Sequence, residues 1–380
     1  MSRATIDTLS KRINSNKNEI SVLKQKSKKR TPRDSLYCGT FAIKIYKPRI
    51  EPCLDSKVIL TDSTFQYVEI FLRKNTDSKN KAYFYWQQAK NFFDATNNLN
   101  IIAKPLTAYY CFLNATKALL EFKGINYDTS HGVSGVALKG HINIKNEKIK
   151  FHPKGVLSGL CFYLNEKIST TEEYTLKDIF YNLPFVHRAY QSTYKQQAEL
   201  FIPILNPRIV HDKKNKKCWL EIQLEAEHSN KKVLTDLQGY SLDNAYNNDE
   251  FFTLRRNKKI DCVAPRNIPN EAQKDKLLNY IKNRRAELTY IYSPNNLWYV
   301  KRKTLASKSL ISHSTLPLTY AAMHRLSELA RYEPSTLQTH LEKEASWLIS
   351  EFIEKSLIQF IDEISCEITG REFRTTGFRS

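Results

Sequence analysis

The chain has 380 residues, with 59 Lys plus Arg against 39 Asp plus Glu and a formal net charge of +20 at pH 7. Hydrophobic residues make up 41% of it and aromatic residues 12%, which is enough apolar surface for a packed core. These values exclude a disordered chain, a collagen-like repeat and a protein embedded in a membrane. They favour a basic globular protein of two or three structural units.

The seven cysteines stand at wide, irregular spacings without a Cys-x-x-Cys pair. Their odd number disfavours a disulfide scaffold, and no spacing of Cys or His suits tetrahedral zinc. The first thirty residues lack a continuous apolar run, and no stretch reaches the ~18 apolar residues of a membrane span. We therefore expect buried free thiols, no metal, no cofactor and a cytoplasmic protein without membrane contact.

Residues 1–35 form a basic N-terminal segment with a heptad pattern. Its core positions step by three and four residues, at Ile6, Leu9, Ile13, Asn16, Ile20 and Leu23. Alternating Ile and Leu favour a parallel two-stranded coiled coil, in which a single core Asn fixes the register. Fewer than three heptads are marginal alone, so an amphipathic arm on the body and a frayed tail are the alternatives. The pattern predicts a homo-oligomer, or pairing with another helix, through this segment.

Four helices are predicted in the remainder of the chain. Two lie between residues 80 and 123, where aromatic residues recur at helical spacing. The second of them begins near Pro105, which suits a first turn, and Gly124 is a plausible stop signal. The other two span about 316–331 and 335–364, and Pro334 separates them.

Short alternating runs between the helical segments predict strands. The expected strands lie at residues 199–205, 219–226, 251–255 and 288–300. Within the second of these, Glu221 alternates with Leu220 and Ile222, which predicts a half-buried strand with an acidic outer face.

The fold class that follows is α+β, with one helical bundle built from the 80–123 and 316–364 segments and a β-rich insertion between them. The predicted regions are an N-terminal helix over 1–35, a helical region over 36–135, a basic β-rich insertion over 136–310 and a C-terminal helical region over 311–380.

Several runs of this sequence together resemble the YaaC-like bacterial proteins. They are residues 88–93 (QAKNFF), 104–120 (KPLTAYYCFLNATKALL), 130–132 (SHG), 175–180 (TLKDIF) and 329–334 (LARYEP). The resemblance spans roughly residues 80–370. It implies a bacterial cytoplasmic protein and no established reaction.

The helix that begins near residue 104 is also similar to the first core helix of HEPN bundles, which occur in RNases and phage-defence proteins. HEPN RNases use an Arg followed, after four to six intervening residues, by a His. Here Arg208 and His211 have two residues between them, whereas Arg331 and His340 have eight. The resemblance therefore implies a HEPN-like bundle that lacks the RNase motif.

His131 is the best candidate for a catalytic residue. It lies in a short polar loop after a helix, where Gly132 and Gly135 would let backbone amides approach a ligand. The alternative is an ordinary turn residue. The chain has no G-x-G-x-x-G, Walker Lys or G-x-S-x-G motif, so no specific nucleotide or hydrolase chemistry is indicated.

Two further patterns of charged residues give weaker functional signals. Asp212 followed by Glu221 and Gln223 resembles the carboxylates of metal-dependent nucleases, although an exposed strand face explains Glu221 without a metal. Arg331 and Glu333, at a helix end, form either a pair that faces a ligand or a clamp on the turn between two helices.

Positive charge is the strongest functional signal. Residues 201–310 contain 21 Lys or Arg and 12 Asp or Glu, with aromatic residues interleaved. If these turns converge, they form a phosphate-binding surface with stacking partners. The alternatives are a solvated Lys-rich surface and a docking site for an acidic protein. The predicted nucleic-acid-binding residues are Lys213, Lys214, Lys216, Lys217, Arg255, Arg256, Lys258, Lys259, Arg284, Arg285, Lys301, Arg302 and Lys303.

The leading hypothesis is a sensor or effector subunit that binds DNA or RNA, and analogy alone places it in bacterial anti-phage defence. The first competing hypothesis is a nuclease or nucleotide-processing enzyme that uses the His131 loop. The second is a non-enzymatic assembly subunit that docks an acidic partner protein.

Overall fold

The computed structural model describes residues 15–17, 33–77, 80–228, 237–247, 250–293, 297–302, 305 and 308–374. Of the heptad positions, Asn16 alone belongs to these residues; it is helical and exposed. The coiled coil stays a prediction, because Ile6, Leu9, Ile13, Ile20 and Leu23 lie outside the described residues, as does Lys303.

The helices of the described residues are numbered in chain order. They are α1 (Thr64–Asn75), α2 (Ala82–Asn97), α3 (Lys104–Phe122), α4 (Val156–Tyr163), α5 (Leu176–Tyr181), α6 (His187–Thr193), α7 (Glu271–Arg285), α8 (Thr315–Tyr332), α9 (Pro334–Glu342) and α10 (Ser346–Thr369). None of the helices in this part of the chain combines the length and apolarity needed to cross a bilayer.

The strands fall into one large sheet and three small ones. The bounds are β1 (Asp34–Ser35), β2 (Tyr37–Cys38), β3 (Phe41–Ala42), β4 (Ile59–Leu60), β5 (Val133–Ala137), β6 (Glu147–Phe151), β7 (Glu172–Thr175), β8 (Phe201–Asp212), β9 (Lys217–Glu225), β10 (Tyr240–Leu242), β11 (Phe251–Arg256), β12 (Ile260–Asp261), β13 (Leu288–Ile291), β14 (Leu297–Lys301) and β15 (Phe373–Arg374).

The large sheet is antiparallel, with the order β10-β11-β9-β8-β14-β13, and β1 and β12 pair with β8 and β9. The small sheets are β5-β6-β7, β2-β3 and a parallel pair of β15 with β4. The mixed α+β class predicted from the sequence is confirmed.

Two hydrophobic cores divide the molecule. The first lies among the helices and the β5-β6-β7 sheet, and we call the described residues within 64–200 and 308–369 the helical body. The second lies on the large sheet under α7, and we call the described residues within 34–54 and 201–302 the sheet body. In the helical body, the rings of Phe112 on α3 and Phe360 on α10 stack at 4.1 Å. The predicted packing of the 80–123 segment against the C-terminal helices is therefore present.

The two predicted helices between residues 80 and 123 are α2 and α3. Pro105 occupies the first turn of α3, where a missing backbone N–H costs nothing. Gly124 follows the helix with a φ of +64°, a conformation that glycine adopts readily. These boundaries were predictable because they are set by local backbone chemistry.

The C-terminal prediction of one helix over 335–364 is wrong, because α9 and α10 are separate helices. Lys343 leaves the helix with a φ of −98° and a ψ of −172°. His340, near the end of α9, shares a hydrogen bond of 2.9 Å with Glu147 of β6. A contact between residues almost two hundred positions apart therefore anchors α9, and no helix-breaking residue marks the interruption.

The structure also divides the chain differently from the predicted regions. Residues 34–60, placed in the helical region, contain four short strands, and their buried apolar side chains belong to the core of the sheet body, whereas Ile50 and Ile59 pack against the core of the helical body. Residues 136–200, placed in the β-rich insertion, contribute α4, α5 and α6 to the helical body. The six cysteines other than Cys53 are buried free thiols, as expected, and Cys53 is half-buried.

Candidate functional sites

The His131 loop is fixed against the start of α4. The amides of Val156 and Leu157 donate to the backbone carbonyls of Ser130 and His131 at 2.8 and 3.2 Å. Gly132 has a φ of +75°, and a Cβ on Gly155 would collide with the Gly132 backbone. The close approach of these two glycines holds His131 in one position.

Gly132 and Gly135 do not leave space for a ligand, in contrast to the expectation from the sequence. Gly132 packs on the backbone at the start of α4, and a Cβ on Gly135 would collide with the side chains of Arg325 and Glu328. The Gly135 amide donates to Glu328 Oε1 at 3.3 Å. The glycines of this loop therefore serve contacts within the chain.

The imidazole of His131 joins a network of buried tyrosines. Its Nδ1 lies 2.5 Å from the hydroxyl of Tyr109 on α3, and that hydroxyl lies 3.1 Å from the hydroxyl of Tyr320 on α8. The Tyr320 hydroxyl also donates to the backbone carbonyl of His131 at 3.4 Å. Both tyrosines are buried, and burial raises their pKa well above the ordinary range, so they stay neutral. His131 itself is exposed.

The charges around His131 favour its neutral form. Partial burial lowers the pKa of His131, and the positive charge of Lys117 on α3 lowers it further. His324 packs edge-on against the Tyr109 ring at 4.8 Å between ring centroids. Burial lowers the pKa of His324 to about 3, so this ring is neutral as well.

A buried ionic cluster lies next to His324 on α8. Arg325 donates to Glu147 Oε2 through Nε and Nη2 at 2.9 and 2.7 Å, and His340 contacts the other oxygen. Burial raises the pKa of Glu147, but the hydrogen bond from His340 and the charge of Arg325 lower it below its usual range. Glu333 lies 3.7 Å from Arg325, so the turn after α8 is clamped by Glu333 with Arg325.

Six exposed or half-buried lysines lie at one end of the large sheet, and we call them the lysine tip. In β12, Ile260 and Asp261 face Cys218 and Lys217 of β9, which brings the β8–β9 turn beside the β11–β12 turn. The Lys216 carbonyl accepts a hydrogen bond from the Cys262 amide at 2.9 Å, which ties the β8–β9 turn to the residue after β12. The members of the lysine tip are Lys213, Lys214, Lys216, Lys217, Lys258 and Lys259.

Two members of the lysine tip form ion pairs within the chain. Lys213 lies 2.9 Å from Asp34, and Lys217 lies 2.6 Å from Asp261. Lys259 Nζ lies 4.4 Å above the ring of Trp219. Lys214, Lys216 and Lys258 make no ion pair among the described residues, and all three are exposed.

The remaining basic residues do not join this surface. Arg256 and Arg284 both donate to Glu287, at 2.9 and 2.7 Å, and Arg284 is buried. Arg285 is buried too, and donates to the carbonyls of Tyr46, Lys47 and Leu288. A guanidinium that is buried and bonded to the backbone is not available to a phosphate. The prediction is therefore wrong for Arg284 and Arg285.

Arg255, Lys301 and Arg302 lie in two other places. Arg255 is half-buried on β11, opposite Glu221 of the neighbouring strand. Lys301 and Arg302 line a cavity between the helical body and the sheet body. The predicted basic residues thus separate into the lysine tip, a buried group and a cavity group.

Four of the aromatic residues interleaved with the basic clusters do not offer stacking partners to the lysine tip. Trp219, Tyr290, Trp298 and Tyr299 are all buried in the sheet body or against it. Their indole and phenol rings fill the cores, where the burial of aromatic area stabilises the fold most. The expected stacking of bases on these aromatics is not available.

The carboxylates that resembled a metal-nuclease pattern have structural roles. Asp212 accepts hydrogen bonds from the amides of Lys214 and Asn215 at 3.0 and 3.2 Å, which closes the β8–β9 turn. Glu221 is buried rather than exposed, because it accepts from Arg208 at 2.8 Å and pairs with Arg33. No three His, Cys, Asp or Glu among the described residues are placed to hold a metal ion.

Reasoning from the sequence missed the hydroxyl network and the cavity. Tyr109 is one of the aromatic residues that recur at helical spacing, a pattern typical of core residues, although the 104–120 and 130–132 runs that contain Tyr109 and His131 both contribute to the family resemblance. Glu363 of the cavity is preceded by an apolar run and Asp362 in α10, and carboxylates on a buried helix face are the signal that could have identified it.

Comparison with known proteins gives one match. The model of the family described as YaaC-like Protein matches residues 61–368. No curated protein and no solved structure matches the chain, so the HEPN likeness stays a prediction. The family match covers α1 to α9, all but the last residue of α10 and most strands, including the His131 network and the lysine tip. On the strength of that coverage, this chain belongs to the YaaC-like protein family.

Proposed function

We propose that this protein binds nucleic acid through the phosphate backbone, with the lysine tip as the contact surface, and acts as a sensor or effector subunit. The observation that carries the proposal is the pairing of β12 with β9, which places two lysine-rich turns side by side. Clustered exposed lysines neutralise phosphates and release counterions, and this contribution does not depend on sequence. Analogy with HEPN proteins of phage defence alone supports a role in defence.

The geometry favours contacts with the phosphates of the nucleic acid over recognition of its bases. The lysine tip presents flexible ammonium groups, whereas the aromatic side chains nearby are buried. The Lys ammonium interacts with a phosphate as a point charge, so this surface would bind nucleic acids of different base sequence. We therefore expect similar affinity for unrelated sequences of one nucleic-acid type.

Fluorescence anisotropy of the nuclease-treated protein tests the proposal with single-stranded DNA, duplex DNA and RNA across a salt series. Four contacted phosphates on duplex DNA predict a slope of log K against log salt of about −3.6. Polyglutamate serves as a polyanion without phosphates. Binding of polyglutamate with equal affinity, or no binding of any nucleic acid at low salt, would contradict the proposal and favour an acidic partner protein.

The hydrogen-bond network of His131 favours a second candidate function, a nuclease in which His131 is the general base. One arrangement satisfies every group: His131 Nδ1–H donates to Tyr109, Tyr109 to Tyr320, and Tyr320 to the His131 carbonyl. This arrangement leaves Nε2 of an exposed, neutral imidazole without a proton. Such a nitrogen can accept a proton from an attacking hydroxyl, and Lys117 adds positive charge beside it.

Replacing His131 by Ala is expected to reduce RNA cleavage by about 10²- to 10⁴-fold, the contribution of a positioned general base. The activity of the unmodified protein should be level above the ordinary His pKa of about 6.5 and should be lost only at more acidic pH, because protonation of His131 removes the base and its pKa lies below the ordinary value. The measurement is cleavage of a labelled RNA across pH.

His152→Ala is the matched control for that experiment. His152 lies near the same loop, bonded to Ser134 at 2.8 Å, and has no contact with the tyrosine network. Its replacement should leave cleavage unchanged. Cleavage that survives His131→Ala would exclude His131 as the base.

A further inference from the structure

A cavity of about 690 Å³ lies between the helical body and the sheet body. Its walls come from residues near α4, from the segment before α8, from α10, and from the sheet body at β13, β14 and the end of α7. Small-molecule sites in proteins occupy about 300–1,000 Å³ and often lie where two structural units meet. The size and position of this cavity therefore suit a ligand rather than a packing defect.

Most carboxylates in the cavity wall are neutralised by the chain itself. Glu166 pairs with Arg49 and accepts from the Ser314 amide at 3.0 Å. Glu172 contacts His313 Nε2 at 2.8 Å. Burial lowers the pKa of His313, but its hydrogen bonds to both carboxylates raise it above the ordinary value, so it supplies positive charge there.

Two further carboxylates of the cavity wall, Glu287 and Glu367, also have hydrogen-bond partners within the chain. Glu287 accepts from Arg256 and Arg284. Glu367 accepts from the Arg49 amide at 2.6 Å and from the Tyr163 hydroxyl at 2.9 Å. Glu287 is thus compensated by two guanidinium groups at Oε1, and both oxygens of Glu367 accept hydrogen bonds.

Glu363 differs from the others. It accepts one hydrogen bond, from Gln359 Nε2 at 2.7 Å, and makes no ion pair among the described residues. The positive charge of Arg285 on α7 acts on Glu363, but its guanidinium donates to three backbone carbonyls. Burial raises the pKa of Glu363 to about 7, and the adjacent acids Asp362 and Glu367 act in the same direction. Glu363 is half-buried, so its unused acceptor capacity can be satisfied only from the cavity, by water or by a ligand that displaces it.

The opposite charge is present in the same cavity. Lys167, Lys301 and Arg302 also line it, and Lys301 and Arg302 come from the sheet side. The walls therefore combine one under-satisfied carboxylate with a basic region. The carboxylate suits the N–H donors of a ligand, and the basic region suits an anionic group where the ligand carries one, as the phosphate of a nucleotide does.

We propose that the cavity binds a small molecule whose planar group sets two parallel N–H donors against the carboxylate of Glu363. Two sources share this chemistry, a guanidinium compound and a guanine nucleotide, since both present paired N–H groups in one plane. The proposal is independent of nucleic-acid binding at the lysine tip, because the two sites share no residue.

Isothermal titration calorimetry of the full-length protein tests the proposal with agmatine, guanosine monophosphate and adenosine monophosphate. Agmatine or guanosine monophosphate should bind, whereas adenosine monophosphate, which lacks the paired donors, should not. Glu363→Gln should weaken binding by about 10- to 100-fold, the range for a hydrogen bond to a charged group. Which of the two probes binds identifies the source of the donor group.

Glu354→Gln is the control, because Glu354 lies on the same helix but is exposed and pairs with Lys104 at the surface. It should leave binding unchanged. In Glu363→Gln the new amide oxygen can still accept from Gln359, so this variant should fold, and circular dichroism checks this. No binding of either donor probe, equal binding of adenosine monophosphate, or equal binding by Glu363→Gln would overturn the proposal.

Agmatine gives a second readout if it is the ligand. With a pKa of about 7, Glu363 is about one-tenth ionised at pH 6 and about nine-tenths at pH 8, so agmatine affinity should rise about tenfold between them. Arg285 on α7 and Asp362 and Glu367 on α10 act on the charge of Glu363, and His313, whose pKa is raised, lines the same cavity; Glu363→Gln keeps all four groups. The rise should be absent in Glu363→Gln, and a rise that persists there would overturn the assignment of the cation to Glu363.

Discussion

Replacing Lys214, Lys216, Lys258 and Lys259 together by Gln is expected to weaken duplex DNA binding by about 4,000-fold at 0.1 M salt. Each contacted phosphate contributes a slope of about −0.9 in log K against log salt, so four lost contacts remove about 3.6 decades of affinity between 1 M and 0.1 M. The slope itself should become shallower by about 0.9 for each lysine that contacts a phosphate. Anisotropy titrations across the salt series measure both quantities.

The control removes the same charge elsewhere. Lys74, Lys81, Lys139 and Lys145 are exposed on the helical body, and their replacement by Gln also lowers the net charge by four. If binding depends on the lysine tip, this variant should lose much less affinity, because distant charges are screened beyond about 8–10 Å at such salt concentrations. Equal losses in the two variants would show that net charge alone drives association.

The largest expected effect on stability comes from Asp362→Ala. Lys47 Nζ, which is almost fully buried, donates to both carboxylate oxygens of Asp362 at 3.1 and 3.2 Å and to the Phe373 carbonyl at 2.9 Å. The Tyr290 hydroxyl donates to Asp362 as well, at 2.8 Å. Removal of the carboxylate leaves a buried ammonium without a counter-charge, which costs about 3–5 kcal/mol of the free energy of unfolding.

Urea unfolding of the single and double variants measures this effect. Lys47→Met with Asp362→Leu replaces the ion pair by apolar groups, and it should be close to the unmodified protein or more stable, because two desolvated charges are removed together. The double-mutant cycle then isolates the coupling between the two side chains. A loss in Asp362→Ala of under about 1 kcal/mol would mean that water enters the site or that Lys47 finds another partner.

Lys47 and Asp362 also explain how the two bodies are joined. Lys47 belongs to the N-terminal part of the sheet body, whereas Asp362 lies on α10 of the helical body. Arg285 adds a second link, since it bonds from α7 to the carbonyls of Tyr46 and Lys47. The cavity that contains Glu363 lies along the same boundary. We expect variants of Asp362 to affect the cavity through this shared boundary.

Short stretches of sequence were enough to predict the helix ends and strands that depend on the chemistry of neighbouring residues. Pro105 and Gly124 mark the ends of α3 because proline suits a first turn and glycine adopts a positive φ. The alternation of Leu220 and Ile222 with polar residues predicted β9 for the same reason, since side chains alternate between the faces of a strand. The predicted heptad of residues 1–35 is also a local signal, and it stays a prediction.

Only the tertiary structure determined which charged side chains reach solvent and which are buried in contacts within the protein. Glu221 was expected on an open face, but β9 lies between β8 and β11, and Arg208 covers its carboxylate. Arg284 and Arg285 follow one another in a basic run, yet both are buried because α7 packs on the sheet. The sequence shows how many charges exist, whereas long-range packing determines their solvation and hence their chemistry.

The candidate sites divide in the same way. The sequence by itself identified the family. It also identified His131 and the lysine clusters as candidates, because residue type and spacing can be read directly from a sequence. Only the folded chain brought Tyr109 and Tyr320 to His131, set the two lysine turns side by side, and enclosed Glu363 in a cavity. Each of these contacts joins residues far apart along the chain, and their free energy exists only after both bodies have packed.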